Sequence, residues 1–179
     1  MDQDSGDIKI ISDKSKVDPD IVSISVDQET GNVYYGSSKG IGFLSYKQNY
    51  RKTIIPTNTQ TTALYIGIHG KGSSKRVYWS TLVSMYRSEI NTTNLIDLRV
   101  ECLQFSFFDN CMVCTSFNGL YLANLDGKET ESLPNIAITS SILRDIDSKC
   151  SVQDFVTVYG DMYISCEEPK QLVVNKFAR

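Results

Sequence analysis

The residues that can do chemistry are few and scattered. Five cysteines fall at positions 102, 111, 114, 150 and 166, and Cys111-Met112-Val113-Cys114 has the C-x-x-C form of zinc and redox sites. A zinc site needs a second such pair or histidines, and His69 is the sole histidine of the chain. A thioredoxin-like dithiol needs a βαβ setting, which the sequence around Cys111 does not offer. The thiols are therefore read as buried strand cysteines, or as one or two disulfides with a thiol left over. His69 stands beside Gly70-Lys71-Gly72-Ser73-Ser74-Lys75, which lacks the spacing and the following helix of a phosphate loop. Asp126 could touch calcium, but no D-x-D-x-D-G series surrounds it, and turn geometry explains it. Asp27, His69 and Asp109 form a thin set for a metal held in a channel. No catalytic residue, metal or cofactor is assigned. Asn91-Thr92-Thr93 is an N-glycosylation sequon on an expected turn.

Composition narrows the classes further. The chain has 179 residues, 41% of them hydrophobic and 22% charged, with a net charge of -3. That suits a globular domain with its own core. It leaves no basic footprint for nucleic acid. No apolar run reaches the roughly 18 residues of a membrane span, so a membrane would be met only through a larger receptor. The start, Met1-Asp2-Gln3-Asp4-Ser5-Gly6-Asp7, is acidic and lacks the features of a signal peptide. If the chain is complete as given, this points to the cytoplasm. If it is a piece of a longer protein, an extracellular or receptor-ectodomain setting is open.

The elements that must position these residues are strands. Ten Tyr and seven Phe favour strand structure, and the apolar pattern has period two, broken by Gly, Asn, Asp and Thr. Residues 135–147 have room for one short helical turn. Four short motifs recur: Tyr34-Tyr35-Gly36-Ser37, Tyr78-Trp79-Ser80-Thr81, Val113-Cys114-Thr115-Ser116 and Tyr163-Ile164-Ser165-Cys166. Their spacings are 44, 35 and 50 residues, close to the roughly 40–50 of a four-stranded propeller blade. Each motif sits on a strand B. A strand A precedes it, at Val22, Leu64, Leu103 and Phe155 onward. A strand C follows, opening at Ile41, Met85, Leu120 and Leu172. A weaker strand D appears around residues 52–55, 95–98 and 131–133. Gly67, Ser25 and Ser106 suit a crowded innermost strand. Tyr34, Tyr78, Trp79 and Tyr163 are read as packing between blades rather than as a ligand stack. The alternative to a propeller is a sandwich of short strands with accidental periodicity.

In these motifs the chain resembles the YWTD (class B) repeat of the low-density lipoprotein receptor family. Tyr78-Trp79-Ser80-Thr81 matches the first half of that repeat. Leu120-Tyr121-Leu122-Ala123-Asn124-Leu125-Asp126-Gly127 matches the second half, where Asp126 and Gly127 form the closing turn. The resemblance spans roughly residues 20–179. It implies an all-β chain, a β-propeller of four-stranded antiparallel blades, with four blades of a six-bladed ring visible. It also implies a non-enzymatic, extracellular receptor module that binds protein ligands and adjoins EGF-like modules in a longer chain. The family's aspartate helps tie blades together, yet Ser37, Thr81, Ser116 and Cys166 stand at its four positions. Residues 1–19 are set apart as an N-terminal segment, in which residues 8–12 supply a possible closing strand.

If the ring forms, the B–C turns gather on one face. That places Ser38, Lys39, Phe117, Asn118, Glu167 and Glu168 on the expected ligand-binding surface. The alternatives are a six-bladed lactonase- or esterase-like hydrolase with a metal in its channel, and an intracellular scaffold propeller.

Overall fold

Strand after strand follows from the period-two pattern. The computed structural model describes residues 20–45, 50–56, 63–90, 94–108, 110–117, 119–128, 143, 146, 152–158, 161–166 and 171–176. Its first sheet is formed by β1 (Ser23–Val26), β2 (Val33–Ser37), β3 (Gly40–Ser45) and β4 (Tyr50–Pro56), in that order. The second contains β5 (Tyr65–His69), β6 (Arg76–Ser80), β7 (Met85–Glu89) and β8 (Ile96–Asp97). The third contains β9 (Gln104–Phe108), β10 (Cys111–Ser116) and β11 (Gly119–Asn124). The fourth contains β12 (Val152–Val158), β13 (Asp161–Cys166) and β14 (Gln171–Lys176). All neighbours are antiparallel. These are the A, B, C and D strands of successive propeller blades. The strands expected at residues 8–12 and 131–133 lie outside the described residues. No helix among the described residues is long and apolar enough to cross a membrane.

Alternation along each B strand decides what it packs against. Tyr34 is buried in a cluster with Ile66, Val77 and Trp79, which joins the first blade to the second. Tyr78 turns the other way, into a cluster with Phe105, Met112 and Cys114 that joins the second blade to the third. Val113 in turn meets Phe155, Met162 and Ile164 of the fourth. The first motif residue thus faces the following blade, and the second faces the preceding one. Tyr34, Tyr78 and Trp79 are buried in these clusters, whereas Tyr163 is half-buried. Register completes the rule. Ser25, Gly67 and Ser106 on the A strands sit opposite Tyr34, Tyr78 and Val113, while Ile24, Ile66, Phe105 and Phe155 sit opposite the second motif residue. Leu143 and Ile146 are helical and buried against the third and fourth blades, within the stretch where a helical turn was expected.

The small residues on the A strands have a steric cause. A Cβ on Gly67 would lie 2.7 Å from Phe105 Cε2 and 2.8 Å from Phe107 Cε2. These two rings pack edge-on 5.3 Å apart, so neither can give way without moving the other. Gly67→Val is expected to destabilise the domain by about 1–3 kcal/mol through overpacking, measurable as a lower urea midpoint with an unchanged slope. An unaltered midpoint would show that the second and third blades sit further apart than described.

Candidate functional site

Because strands A and B are antiparallel, every B–C turn emerges at one end of the stack. The connections that enter each A strand emerge at the same end. The two sets of loops touch there: the Phe117 amide donates to Glu101 Oε1 at 3.0 Å, and the Ser38 hydroxyl donates to the Asp20 carboxylate.

The hydroxyl residues at the family's aspartate positions build these turns. Thr81 Oγ1 accepts from the amides of Val83 (3.2 Å) and Ser84 (3.1 Å) and donates to the Ser84 carbonyl at 2.9 Å. Ser37 Oγ accepts from the Lys39 amide at 3.2 Å and donates to the Gly40 carbonyl at 3.3 Å. Ser116 Oγ donates to the Gly119 carbonyl at 3.4 Å. A short side-chain oxygen two or three residues from a free amide favours such local closure. The fourth position, Cys166, is disulfide-bonded instead.

Turns held in this way can display apolar side chains outward. Leu82, Val83 and Phe117 are 68, 76 and 74% exposed, at the B–C turns of neighbouring blades. Ser38 and Lys39 are exposed on the first blade's turn. Asn118, Glu167 and Glu168, expected on this face, lie outside the described residues, as does the sequon Asn91. Leu82 and Val83 were not among the residues expected on this face, although the motif ending at Thr81 and the strand opening at Met85 leave them in the B–C turn. The signal was present in Thr81 and Ser84, hydroxyl residues flanking the pair.

Blades are tied by polar contacts elsewhere. Ser80 Oγ donates to the Leu103 carbonyl at 2.5 Å, and the Ile66 amide donates to Ser23 Oγ at 3.1 Å. Arg87 donates to the Leu125 carbonyl at 3.0 Å and pairs with the exposed Asp126 carboxylate. Gln104 donates to Asp154. Asp126 is thus an ion-pair partner between the second and third blades. Gly127 follows it at φ 83°, in the left-handed region, where a Cβ would also lie 2.8 Å from that of Leu98. Both conditions favour glycine.

The opposite end carries Asp27, Glu29 and Lys75. Lys75 Nζ lies 2.6 Å from Asp27 Oδ2 and 2.9 Å from Glu29 Oε2, joining the A–B turns of the first two blades. Burial alone would push the Asp27 carboxyl up. The bonds from Lys75, Thr30 and the Glu29 amide outweigh it and hold the carboxyl below its ordinary value. The Lys75 bond also lowers Glu29, and the bonds to Asp27 and Glu29 raise Lys75. His69 packs its ring against Phe107 at 4.8 Å, and Asp109 lies outside the described residues. Among the described residues no three His, Cys, Asp or Glu side chains gather as a metal site. Cys111 and Cys114, three apart on one strand, point to opposite blades. Cys114 is bonded instead to Cys102, 12 residues earlier, with Cα atoms 5.3 Å apart.

These features define a β-propeller, and comparison with solved structures bears this out. The chain is similar to a protein of a nidogen/laminin complex, with a TM-score of 0.56 and 12% identity over 87% of this chain and 75% of that one. It is similar to a chain of a complex of BBS1N with ARL6DN, with a TM-score of 0.55 and 12% identity over 86% of this chain and 52% of that one. A structure of YCF48 bound to D1 peptide follows, with a TM-score of 0.52 and 9% identity over 89% of this chain and 52% of that one. The chain spans about half the length of the latter two. No protein-family model matches the sequence, and no curated protein matches it.

Proposed function

We propose that this chain is a non-enzymatic, protein-binding propeller module of YWTD type, which holds its ligand on the face built by the B–C turns. The observation that carries the reading is the outward display of Leu82, Val83 and Phe117 on hydrogen-bonded turns of adjacent blades. Exposed apolar side chains grouped on a rigid frame with a polar rim are the usual core of a protein interface. The similar folds found in a nidogen/laminin complex, in BBS1N with ARL6DN and in YCF48 with D1 peptide accord with a docking role. The YWTD kinship rests on Tyr78-Trp79-Ser80-Thr81 and on residues 120–127.

The test compares the parent chain with Leu82→Asp/Phe117→Asp and with Lys71→Glu, a substitution at the opposite end. Affinity capture followed by mass spectrometry should give partners common to the parent and Lys71→Glu that are absent with the double variant. Partners kept by all three, or chelator-sensitive esterase turnover by the purified chain, would overturn the reading.

An extracellular location is part of the same proposal. Its support is the Cys102–Cys114 bond together with the bonded Cys166, since disulfides persist in oxidising compartments. Denatured, unreduced protein from its native source is expected to show at most one titratable thiol among its five cysteines. Five thiols would place it in a reducing compartment and favour an intracellular scaffold.

A further inference from the structure

A residue beside the second blade's B–C turn holds a backbone conformation that its type disfavours. Among the described residues, Arg99 is the one residue other than glycine with positive φ, at 56°. The left-handed region crowds a Cβ, so glycine or asparagine would sit there with less strain. Hydrogen bonds fix the position from both sides. The Leu98 amide donates to the Met85 carbonyl at 2.9 Å, and the Met85 amide donates to the Val100 carbonyl at 3.0 Å. The Arg99 amide donates to Asp97 Oδ1 at 2.8 Å, and the same oxygen accepts from the Ser84 hydroxyl. Arg99 is thereby fastened to Ser84 and Met85, which directly follow the outward pair Leu82 and Val83.

The side chain takes no part in that fastening. Arg99 is exposed, and among the described residues its guanidinium makes no hydrogen bond or ion pair. The carboxylates at this end are in the opposite condition. Asp20 accepts from the Ser38 hydroxyl, Glu101 from the Phe117 amide, Asp154 from Gln104, and Asp97 from Ser84 and Arg99. Each already has a donor within the chain, so the charge left for a partner is positive. Strain kept for a displayed side chain is a mark of functional sites, and arginine beside exposed apolar residues is a common interface anchor. We propose that Arg99 is the charged anchor of the ligand face. It pairs with an aspartate or glutamate in a protein segment whose apolar side chains cover Leu82, Val83 and Phe117. The inference rests on the protein-binding reading above and adds what the partner must carry. A guanidinium offers a carboxylate two parallel donors, which a lysine does not.

Random displayed peptides selected on the full chain test this. Peptides whose binding is lost with Leu82→Asp/Phe117→Asp define the ligand face. These peptides are expected to carry Asp or Glu beside apolar residues. Their affinity should fall at least ~10-fold with Arg99→Gly and further with Arg99→Glu. Replacing the peptide's acidic residue with Lys should restore binding to Arg99→Glu, a charge swap that a purely structural role of Arg99 would not produce. Arg99→Gly relieves the backbone, so its urea midpoint should not fall below the parent's. Face-dependent peptides that lack acidic residues, or that bind the parent, Arg99→Gly and Arg99→Glu equally well, would overturn this proposal and leave the protein-binding reading standing. A selection that yields no peptide dependent on Leu82 and Phe117 would overturn both.

Discussion

Replacing Trp79 with alanine is expected to destabilise the domain by about 3–5 kcal/mol, the range for truncating a large buried aromatic. Trp79 is the only tryptophan. It is fully buried, and its ring stacks on Tyr86 at 5.7 Å with 21° between planes. The cluster around it contains Tyr34, Ile41, Ile55, Ala63, Ile66 and Val77, residues of the first two blades and the connection between them. Truncation would open a cavity in that seam, and backbones locked in two separate sheets cannot collapse fully into it. At roughly 2–4 °C per kcal/mol for a chain of this size, the melting temperature should fall by roughly ten degrees.

A second substitution separates packing from polarity. The buried Trp79 Nε1–H finds no acceptor among the described residues, so the indole nitrogen contributes volume but no bond. Trp79→Phe keeps an aromatic ring and removes the unpaired donor, and its cost should stay below ~1.5 kcal/mol. Urea unfolding of both variants gives the comparison. If alanine fell within about 0.5 kcal/mol of the parent, as a surface substitution does, the first two blades would not be held through this seam.

Trp79 also shows how much could be read in advance. Strand B was legible in each unit because two large residues followed by smaller ones recur at blade spacing. Period-two alternation then fixed the neighbouring strands, and the Asp126-Gly127 dipeptide marked a turn. What stayed hidden depends on which residues meet across blades. Cys102 and Cys114 bond because the connection entering β9 folds back beside β10, whereas the conspicuous C-x-x-C has its two thiols on opposite faces. The serines and threonine at the family's aspartate positions looked like weakened interblade contacts. In the fold they close their own turns. Interblade ties moved to Ser80, Arg87, Gln104 and Lys75, whose partners stand 23 to 50 residues away, beyond the reach of any local pattern. The outward turn of Leu82 and Val83 was encoded locally, in Thr81 and Ser84, but it is a hydrogen-bond signal and not a hydropathy one.

The tie at Lys75 is the electrostatic counterpart of the Trp79 seam, since both join the first two blades. Lys75→Met is expected to cost about 2–3 kcal/mol. That is below the roughly 3–5 of a deeply buried pair, because the exposed Glu29 opens one side of the cluster to water. The loss arises mainly from Asp27, which is 5% exposed and would keep its charge with only Thr30 and the Glu29 amide to satisfy it. Replacing Asp27 with Asn as well removes that charge, so the double variant should recover part of the loss. Acidity should have the same effect on the parent. The Asp27 carboxyl is held below its ordinary 3.8, so its contribution is fully present above that value and fades as the pH falls through the folded-state value. Lys75 is held above its ordinary 10.5, so its contribution is complete below that value and is lost as the pH rises past the folded one. Between those limits the tie is intact, and the difference in stability between parent and Lys75→Met should be flat. It should shrink toward acid as Asp27 takes up its proton. A difference that persisted unchanged well below pH 3.8 would mean that Lys75 stabilises this corner by packing its aliphatic stem rather than by its charge.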